Sequence, residues 1–437
     1  MVMQRDSETY VLQFLNTPAP NSNVLLVQGA RQVGKTYLLR SCLKGKENTV
    51  SINLEREPQT KFAIEATKSF DEFTELLTRR HNFKTNAGYT LFIDEAQESE
   101  KLGSYVRFMK EEWSNTKVVL TGSSMKRLFR GDVRVPVGRV DFLNIQGFSF
   151  REYLRMNDCE SLLNDAKSSV SISSELHQLI LEKYDAFLRV GGLPDAVVAQ
   201  KNGADFESVL NFITASQGED FLRIEDVKSY LFLDALKGVA NHVGGAAKYT
   251  HIAANNYDAK KVIQKLQEWS IVHEIDQQGA SPTQNFAPKR YLYDIGVLRL
   301  VRQSAIPAIS IIHTVDERLR TPLGGLIENA VLLQLLEGSG GLNFISGWKK
   351  NHKEPIEVDF VIKHDGIPLP IEVKATLKAN ERHCKNLIQY CNLFALKRGV
   401  LFSLDNRASF KIGAIEIDVL PVYLAELLRP KSSRQLA

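Results

Sequence analysis

Gly29-Ala30-Arg31-Gln32-Val33-Gly34-Lys35-Thr36 carries the spacing G-x-x-x-x-G-K-[ST]. Glycines at the two ends let a loop curl until successive backbone N–H groups point at phosphate oxygens. The apolar run Val24-Leu25-Leu26-Val27 precedes it, and Thr36-Tyr37-Leu38-Leu39 opens a helix whose N-terminus adds partial positive charge. Lys35 then reaches the β- and γ-phosphates of a nucleotide, and Thr36 ligates Mg²⁺. The binding segment is Gly29, Ala30, Arg31, Gln32, Val33, Gly34, Lys35, Thr36 and Tyr37. A second apolar run, Tyr89-Thr90-Leu91-Phe92-Ile93, ends in Asp94-Glu95. A buried strand delivers terminal carboxylates to the sheet edge where phosphates sit. There Asp94 holds Mg²⁺ through water, and Glu95 polarises the attacking water, so hydrolysis is expected rather than binding alone.

A different constellation lies near the C-terminus. Glu357-Val358-Asp359-Phe360-Val361-Ile362 and Leu369-Pro370-Ile371-Glu372-Val373-Lys374 both read as strands. Side chains alternate along a strand, so Glu372 and Lys374 share one face and Asp359 shares a face with Glu357. If Asp359 and Glu372 meet on neighbouring strands, two carboxylates and an ammonium converge. Such a set binds Mg²⁺ and activates water for phosphodiester attack. Glu328, in Gly324-Gly325-Leu326-Ile327-Glu328-Asn329, adds a carboxylate from a preceding helix.

Short apolar runs alternate with helical patterns up to about residue 150: 24–28, 49–54, 89–93 and 117–120. This alternation predicts a parallel sheet with crossover helices. The fourth run ends in Thr121-Gly122-Ser123-Ser124, whose hydroxyls, Ser123 among them, are placed to sense a γ-phosphate or to form a local turn. Arg139, after Gly138, is a candidate to stabilise phosphoryl charge in this subunit or a neighbour; the alternative is a surface arginine. From about 150 to 275 the apolar residues recur every three or four positions, a helical pattern. Within it Tyr249–Ala253, Tyr257–Leu266 and Trp269–Ile275 give two helices and a wing-like strand, with Lys260, Lys261 and Lys265 directed outward. The loop-like stretch Gln277–Thr283, followed by Pro288, marks a boundary. Expected segments are therefore 1–150, 151–285 and 286–437, an α/β fold in which a winged-helix-like segment joins two α/β units.

The sequence resembles the AAA+ family of P-loop ATPases, and more narrowly the bacterial and archaeal members with a C-terminal domain of unknown function, over nearly the whole chain. Gly29–Thr36, Leu91–Gln97, Leu120–Ser124, Gly138-Arg139, Phe148–Tyr153 and Phe187-Leu188-Arg189-Val190-Gly191-Gly192-Leu193-Pro194 carry the likeness. It implies ATP and Mg²⁺ as ligands. AAA+ proteins usually place Asn at the end of the sensor strand, whereas Thr121 and Ser123 stand here. The C-terminal strands resemble the PD-(D/E)XK, restriction-endonuclease-like fold. Glu328, Asp359, Glu372 and Lys374 fall on its helix Glu, Asp and E-x-K positions, with a turn at Asp365-Gly366 between the strands.

The 437 residues are 43% hydrophobic and 24% charged, globular values, with a net charge of +4 that permits nucleic-acid binding without requiring it. No apolar run approaches the ~18–20 residues of a membrane span, and the N-terminus lacks the apolar stretch of a signal peptide. Cys42, Cys159, Cys384 and Cys391 form no C-x-x-C pair, as expected of reduced cytoplasmic thiols, with a zinc site using His383, Cys384 and Cys391 as the alternative. The leading expectation is an ATP-hydrolysing protein coupled to a nuclease-like domain that acts on DNA with Mg²⁺. The alternative is a nucleotide-driven sensor or protein-binding switch whose nuclease fold is inactive. DNA, a protein partner and further copies of the chain are the partners this admits.

Overall fold

Apolar runs too short for helices form the N-terminal sheet. In the computed structural model its strands are β1 (Val24–Gln28), β2 (Thr49–Asn53), β3 (Thr90–Asp94), β4 (Lys117–Gly122) and β5 (Val140–Asn144). The structure describes residues 3–18, 23–129, 135–136, 138–169, 171–245, 248–281, 284, 286–302, 306–312, 314–337, 344–354 and 356–429. Pro282 and Thr283 of the boundary loop lie outside them. The five strands are all parallel, in the order β2-β3-β4-β1-β5. β3 and β4 are buried along their whole length, as strands covered by helices on both faces must be. Helix Phe70–His81 begins at Ser69, whose side chain accepts from Glu72 N, and stops at Asn82 in the left-handed region. It brings Phe70 and Phe73 against Tyr105 and Trp113. Because the strands are parallel, Gln28, Asp94 and Gly122 end at one edge of the sheet.

The chain divides into two compact units: Met1–Ile145 with Glu268–Ser270, and Gln146–Gln267 with Ile271–Ala437. Apart from Glu268–Ser270, the segments read from the sequence as 151–285 and 286–437 thus lie together in the second unit. Helices lead it, among them Phe150–Met156, Ser174–Val190, Phe206–Ile224, Leu231–Asn241 and Asn256–Glu268. The first is closed by a capping box between Ser149 and Glu152. The strands follow: β6 (Val272–Ile275), β7 (Gln277–Gln278), β8 (Lys289–Leu292), β9 (Ile345–Lys349), β10 (Glu357–His364), β11 (Ile367–Lys374), β12 (Arg398–Ser403), β13 (Ala408–Ile412) and β14 (Ile415–Pro421). β6 and β8 pair as a separate antiparallel ribbon, while a seven-stranded sheet runs β13-β14-β12-β11-β10-β9-β7. β10 and β11 are joined by Asp365-Gly366, both at positive φ, 50° and 82°, the geometry that suits a two-residue hairpin. Helix Glu317–Leu336 precedes this sheet. Among the described residues, no helix is long and apolar enough to cross a membrane.

The Phe187–Pro194 motif has a packing role. Gly191 has φ of 84°, and a Cβ there would lie 2.5 Å from Asp294 Oδ1; one on Gly192 would lie 2.5 Å from the Phe148 carbonyl oxygen. Two glycines let helix Ser174–Val190 end against backbone, and Asp294 Oδ2 accepts from Gly192 N at 2.7 Å. The lysine face of helix Asn256–Glu268 departs from expectation. Lys261 pairs with Asp226 and Lys265 with Glu225, at 3.2 and 3.1 Å. These ammoniums already face carboxylates, and of the three lysines it is Lys260 that stands exposed.

Candidate active site and carboxylate cluster

The phosphate-binding loop follows β1 directly. Gly29 has φ of 155°, and a Cβ on it would meet the Ile145 carbonyl oxygen at 2.1 Å. Gln32 and Gly34 have φ of 63° and 94°, so the loop turns back on itself before helix Lys35–Leu43 begins. The amides of Val33, Gly34, Lys35 and Thr36 fall at the start of that helix, where backbone donors lack partners along it. Lys35 is 6% exposed and its Nζ donates to the carbonyls of Gly29 and Ala30 at 2.9 and 2.7 Å. Burial pulls its pKa down to about 8, against the opposing charges of Glu95 and Asp94. The guanidinium carbon of Arg31 lies 5.5 Å from the centre of the Trp269 ring. The N-terminal segment, which sequence reasoning passed over, also holds this region: Arg5 Nη1 donates to Val33 O at 2.7 Å, and Met3 N to the Tyr37 hydroxyl at 3.1 Å.

Asp94 stands beside the loop. Thr36 Oγ1 donates to its Oδ1 at 3.2 Å, and Asn53 Nδ2 to its Oδ2 at 2.9 Å. Asn53 ends the adjacent strand in register with Asp94, a partner that no motif marked. A hydroxyl and a carboxylate oxygen side by side form a hard-oxygen donor set that fits Mg²⁺. Glu95 follows at φ 53°, ψ 43°, an uncommon conformation for a residue with a Cβ. Its carboxyl pKa is raised by burial, against the pull of Lys35 and of Gln97, whose Nε2 donates to Oε2 at 2.6 Å.

The end of β4 sorts its hydroxyls. Thr121 Oγ1 is committed to Val27 O at 2.9 Å, and Ser123 is buried. Ser124 Oγ and Gln97 Oε1 are buried with no hydrogen-bond partner among the described residues. The donor and acceptor left over at this edge are therefore Ser124 and Gln97, neighbours of the expected Ser123. Arg139 does not join the site within this chain. Its carbonyl accepts from Val24 N at the opening of β1, and its guanidinium pairs with Glu111 at 3.0 Å. The length of β1, roughly 13 Å at about 3.3 Å per residue, separates it from the loop. Residue 139 enters a parallel strand, and strand entries lie at the edge opposite the Gly29–Thr36 loop.

In the second unit, Asp359, Glu372, Lys374 and Glu328 come together. Lys374 Nζ donates to Glu372 Oε1 at 2.5 Å, and Asp359 Oδ2 accepts from Val373 N at 2.9 Å. The structure adds Lys289 and Tyr291, which the sequence reading did not single out. Lys289 Nζ lies 2.8 Å from Asp359 Oδ1, 3.2 Å from Glu328 Oε1 and 3.7 Å from Glu357 Oε1; the Tyr291 hydroxyl donates to Glu328 Oε1 at 2.6 Å. Burial opposes the charge on Lys289, yet Asp359 and Glu328 hold its pKa well above the ordinary lysine value. Burial and the neighbouring Asp359 push Glu372 up to about 8. Burial would also raise Asp359, but Lys289 and Lys374 keep it below its ordinary value. A charged pair at the start of a strand whose every residue is buried, Lys289-Arg290 in β8, is the signal that could have found Lys289. His383, Cys384 and Cys391 have separate partners, and among the described residues no group of three or more His, Cys, Asp or Glu side chains is arranged to hold a metal ion.

A nucleotide-phosphate loop on a parallel sheet with acidic residues at the next-but-one strand end defines the first unit as a P-loop domain. Residues 21–154 match the family model described as AAA domain. Residues 181–305 and 323–424 match two domains of unknown function, DUF8612 and DUF4143. No curated protein matches the chain. Among solved structures, the Thermotoga maritima RuvB Holliday junction branch migration motor is 13% identical over 62% of this chain and 89% of its own, with a TM-score of 0.31. AMPPCP-bound DnaA from Aquifex aeolicus is 12% identical over 61% and 88%, with a TM-score of 0.27. PCH-2 of C. elegans is 18% identical over 39% of this chain and 49% of that protein, about half its length, with a TM-score of 0.22. These likenesses are remote and carry no functional weight.

The buried Lys35 sets a pH dependence. Bound phosphates favour the ammonium, so ATP affinity is greatest where Lys35 is charged. As pH rises past about 8 the ammonium is lost from the free protein. The Kd for ATP should then weaken by up to about tenfold per pH unit between 8 and 10. Lys35→Arg, charged throughout, should bind more weakly but without that slope. A pH-independent Kd for the unaltered protein over this range would show that Lys35 does not meet the phosphates.

Proposed function

We propose that this chain binds ATP with Mg²⁺ at the Gly29–Thr36 loop, hydrolyses it, and uses the cycle to switch its second unit between partner-binding states. The observation that carries the first part is the contact of Thr36 Oγ1 with Asp94 Oδ1, 3.2 Å, beside the buried Lys35. Thr36 and Asp94 would hold Mg²⁺, which supplies charge neutralisation at the phosphates. Lys35 leaves its two loop carbonyls to bind phosphate oxygens. Glu95, ionised, accepts the proton of the attacking water, and Gln97 orients its carboxylate. Ser123, Ser124 or Gln97 would report the γ-phosphate from the end of β4, and Arg139 would act only on a neighbouring copy.

For the second unit, one observation favours the switch over DNA cleavage with Mg²⁺: Lys289 already stands between Asp359 and Glu328. The pairing of Lys261 and Lys265 points the same way, since a phosphate-binding face needs unpaired cations. The test is ATP turnover and DNA cleavage by the purified full chain with Mg²⁺ or Mn²⁺, with and without DNA. ATP turnover without cleavage is expected. Cleavage abolished by Asp359→Ala and Lys374→Ala would establish the nuclease reading instead.

A further inference from the structure

The resemblance of β10 and β11 to metal-dependent nucleases implies a divalent cation at Glu328, Asp359 and Glu372, and the residues present do not fit one. Mg²⁺ needs several oxygens at about 2.0–2.1 Å in an octahedral arrangement. Here both oxygens of Asp359 hold donors, Lys289 Nζ on Oδ1 and Val373 N on Oδ2. Glu328 Oε1 holds Lys289 and Tyr291, and Glu372 Oε1 holds Lys374. Glu328 Oε2 lies against Gly244, where a Cβ would come within 2.7 Å of it. Glu372 Oε2 is buried with no partner among the described residues, a single oxygen where a cation would need a set. Lys289 is not a mobile surface side chain that could withdraw. Its side chain is 1% exposed, and it sits on β8, locked by pairing with β6.

We infer that Lys289 is a resident counter-cation, standing where a divalent metal would stand, and that the cluster is a metal-independent joint fastening the β6–β8 ribbon to the C-terminal sheet. Lys289 and Tyr291 are alternate residues of β8, so they project from one face and reach Asp359 and Glu328 together. Three carboxylates brought together repel one another unless positive charge accompanies them. Lys289 and Lys374 supply two such charges from within the chain. An ion pair that is buried and hydrogen-bonded on both sides fixes register between elements distant in sequence, here 70 residues apart for Lys289 and Asp359.

Mn²⁺ binding to the full chain without nucleotide, followed by electron paramagnetic resonance, tests this. The unaltered protein should hold no stoichiometric Mn²⁺ that Asp359→Asn removes. Lys289→Met should acquire a Mn²⁺ site at least tenfold tighter than the unaltered protein shows, and Lys289→Met/Asp359→Asn should lose it. The double variant should also melt higher than Lys289→Met, because it removes a carboxylate left without its cation. A stoichiometric Mn²⁺ ion in the unaltered protein, lost on Asp359→Asn, would overturn the inference. So would a folded Lys289→Met protein with no gain in Mn²⁺ binding. If Lys289→Met does not fold, the unaltered protein and Asp359→Asn still decide the matter.

Discussion

Glu95→Gln should bind ATP about as tightly as the unaltered protein and hydrolyse it roughly 10²–10⁴-fold more slowly, the range that a positioned general base contributes. Binding should survive because the groups proposed to meet phosphates and Mg²⁺ are elsewhere: Lys35, Thr36 and Asp94 keep their contacts. Hydrolysis suffers because an amide cannot take the water's proton. Gln is isosteric and can still accept the hydrogen bond from Gln97, so the left-handed turn at position 95 is retained. The expected split is a Kd for ATP changed less than about threefold with turnover nearly abolished. Equal loss of binding and turnover would assign Glu95 to loop architecture instead. Turnover at the original rate would remove it from the mechanism.

Asp359→Asn should destabilise the second unit by about 3 kcal/mol, lowering its melting temperature by roughly 5–10 °C. The amide still accepts from Val373 N but no longer neutralises Lys289, whose ammonium is left in a dry site with Glu328 and the more distant Glu357. Breaking a buried pair from one side costs more than the pair contributes, since the remaining charge keeps its desolvation penalty. The sign separates two accounts. In a cluster awaiting metal, removing one of several repelling carboxylates relieves strain, and stability holds or rises. In a cluster already compensated by lysine it falls. Thermal unfolding of the two proteins in chelator, without nucleotide, measures this.

Sequence alone revealed those features whose chemistry is local. The loop Gly29–Thr36, the strand ending in Asp94-Glu95 and the Asp365-Gly366 hairpin each occupy a few consecutive residues, so spacing determines geometry. The shared face of Glu372 and Lys374 follows from strand alternation and appears as an ion pair. What sequence did not reveal depends on register between distant segments. Asn53 meets Asp94 only because β2 and β3 pair in register, and Arg5 reaches Val33 from a segment without a motif. Arg139 looked close to the phosphates in the chain order, but the strand that it precedes, β5, was not recognised. A parallel strand carries its entry residue to the far edge. Lys289 and the carboxylates it pairs with are separated by whole helices, and the pair Lys289-Arg290 at the opening of a short strand does not say which carboxylates its lysine will meet. Lys261 and Lys265 were placed outward by helical periodicity alone, which takes no account of Asp226 and Glu225 beside them.

Steady-state phosphate release from ATP by the full chain with Mg²⁺, compared with Lys35→Ala purified in the same way, tests the central claim most directly. Lys35 is held on the carbonyls of Gly29 and Ala30 and buried against Asp94 and Glu95. Its removal deprives the β- and γ-phosphates of their positive partner. The unaltered protein should turn over ATP, and Lys35→Ala should fall at least about a hundredfold below it, to background. Equal phosphate release by the two proteins, or none by the unaltered protein under any nucleotide and divalent cation, would contradict ATP hydrolysis at this site.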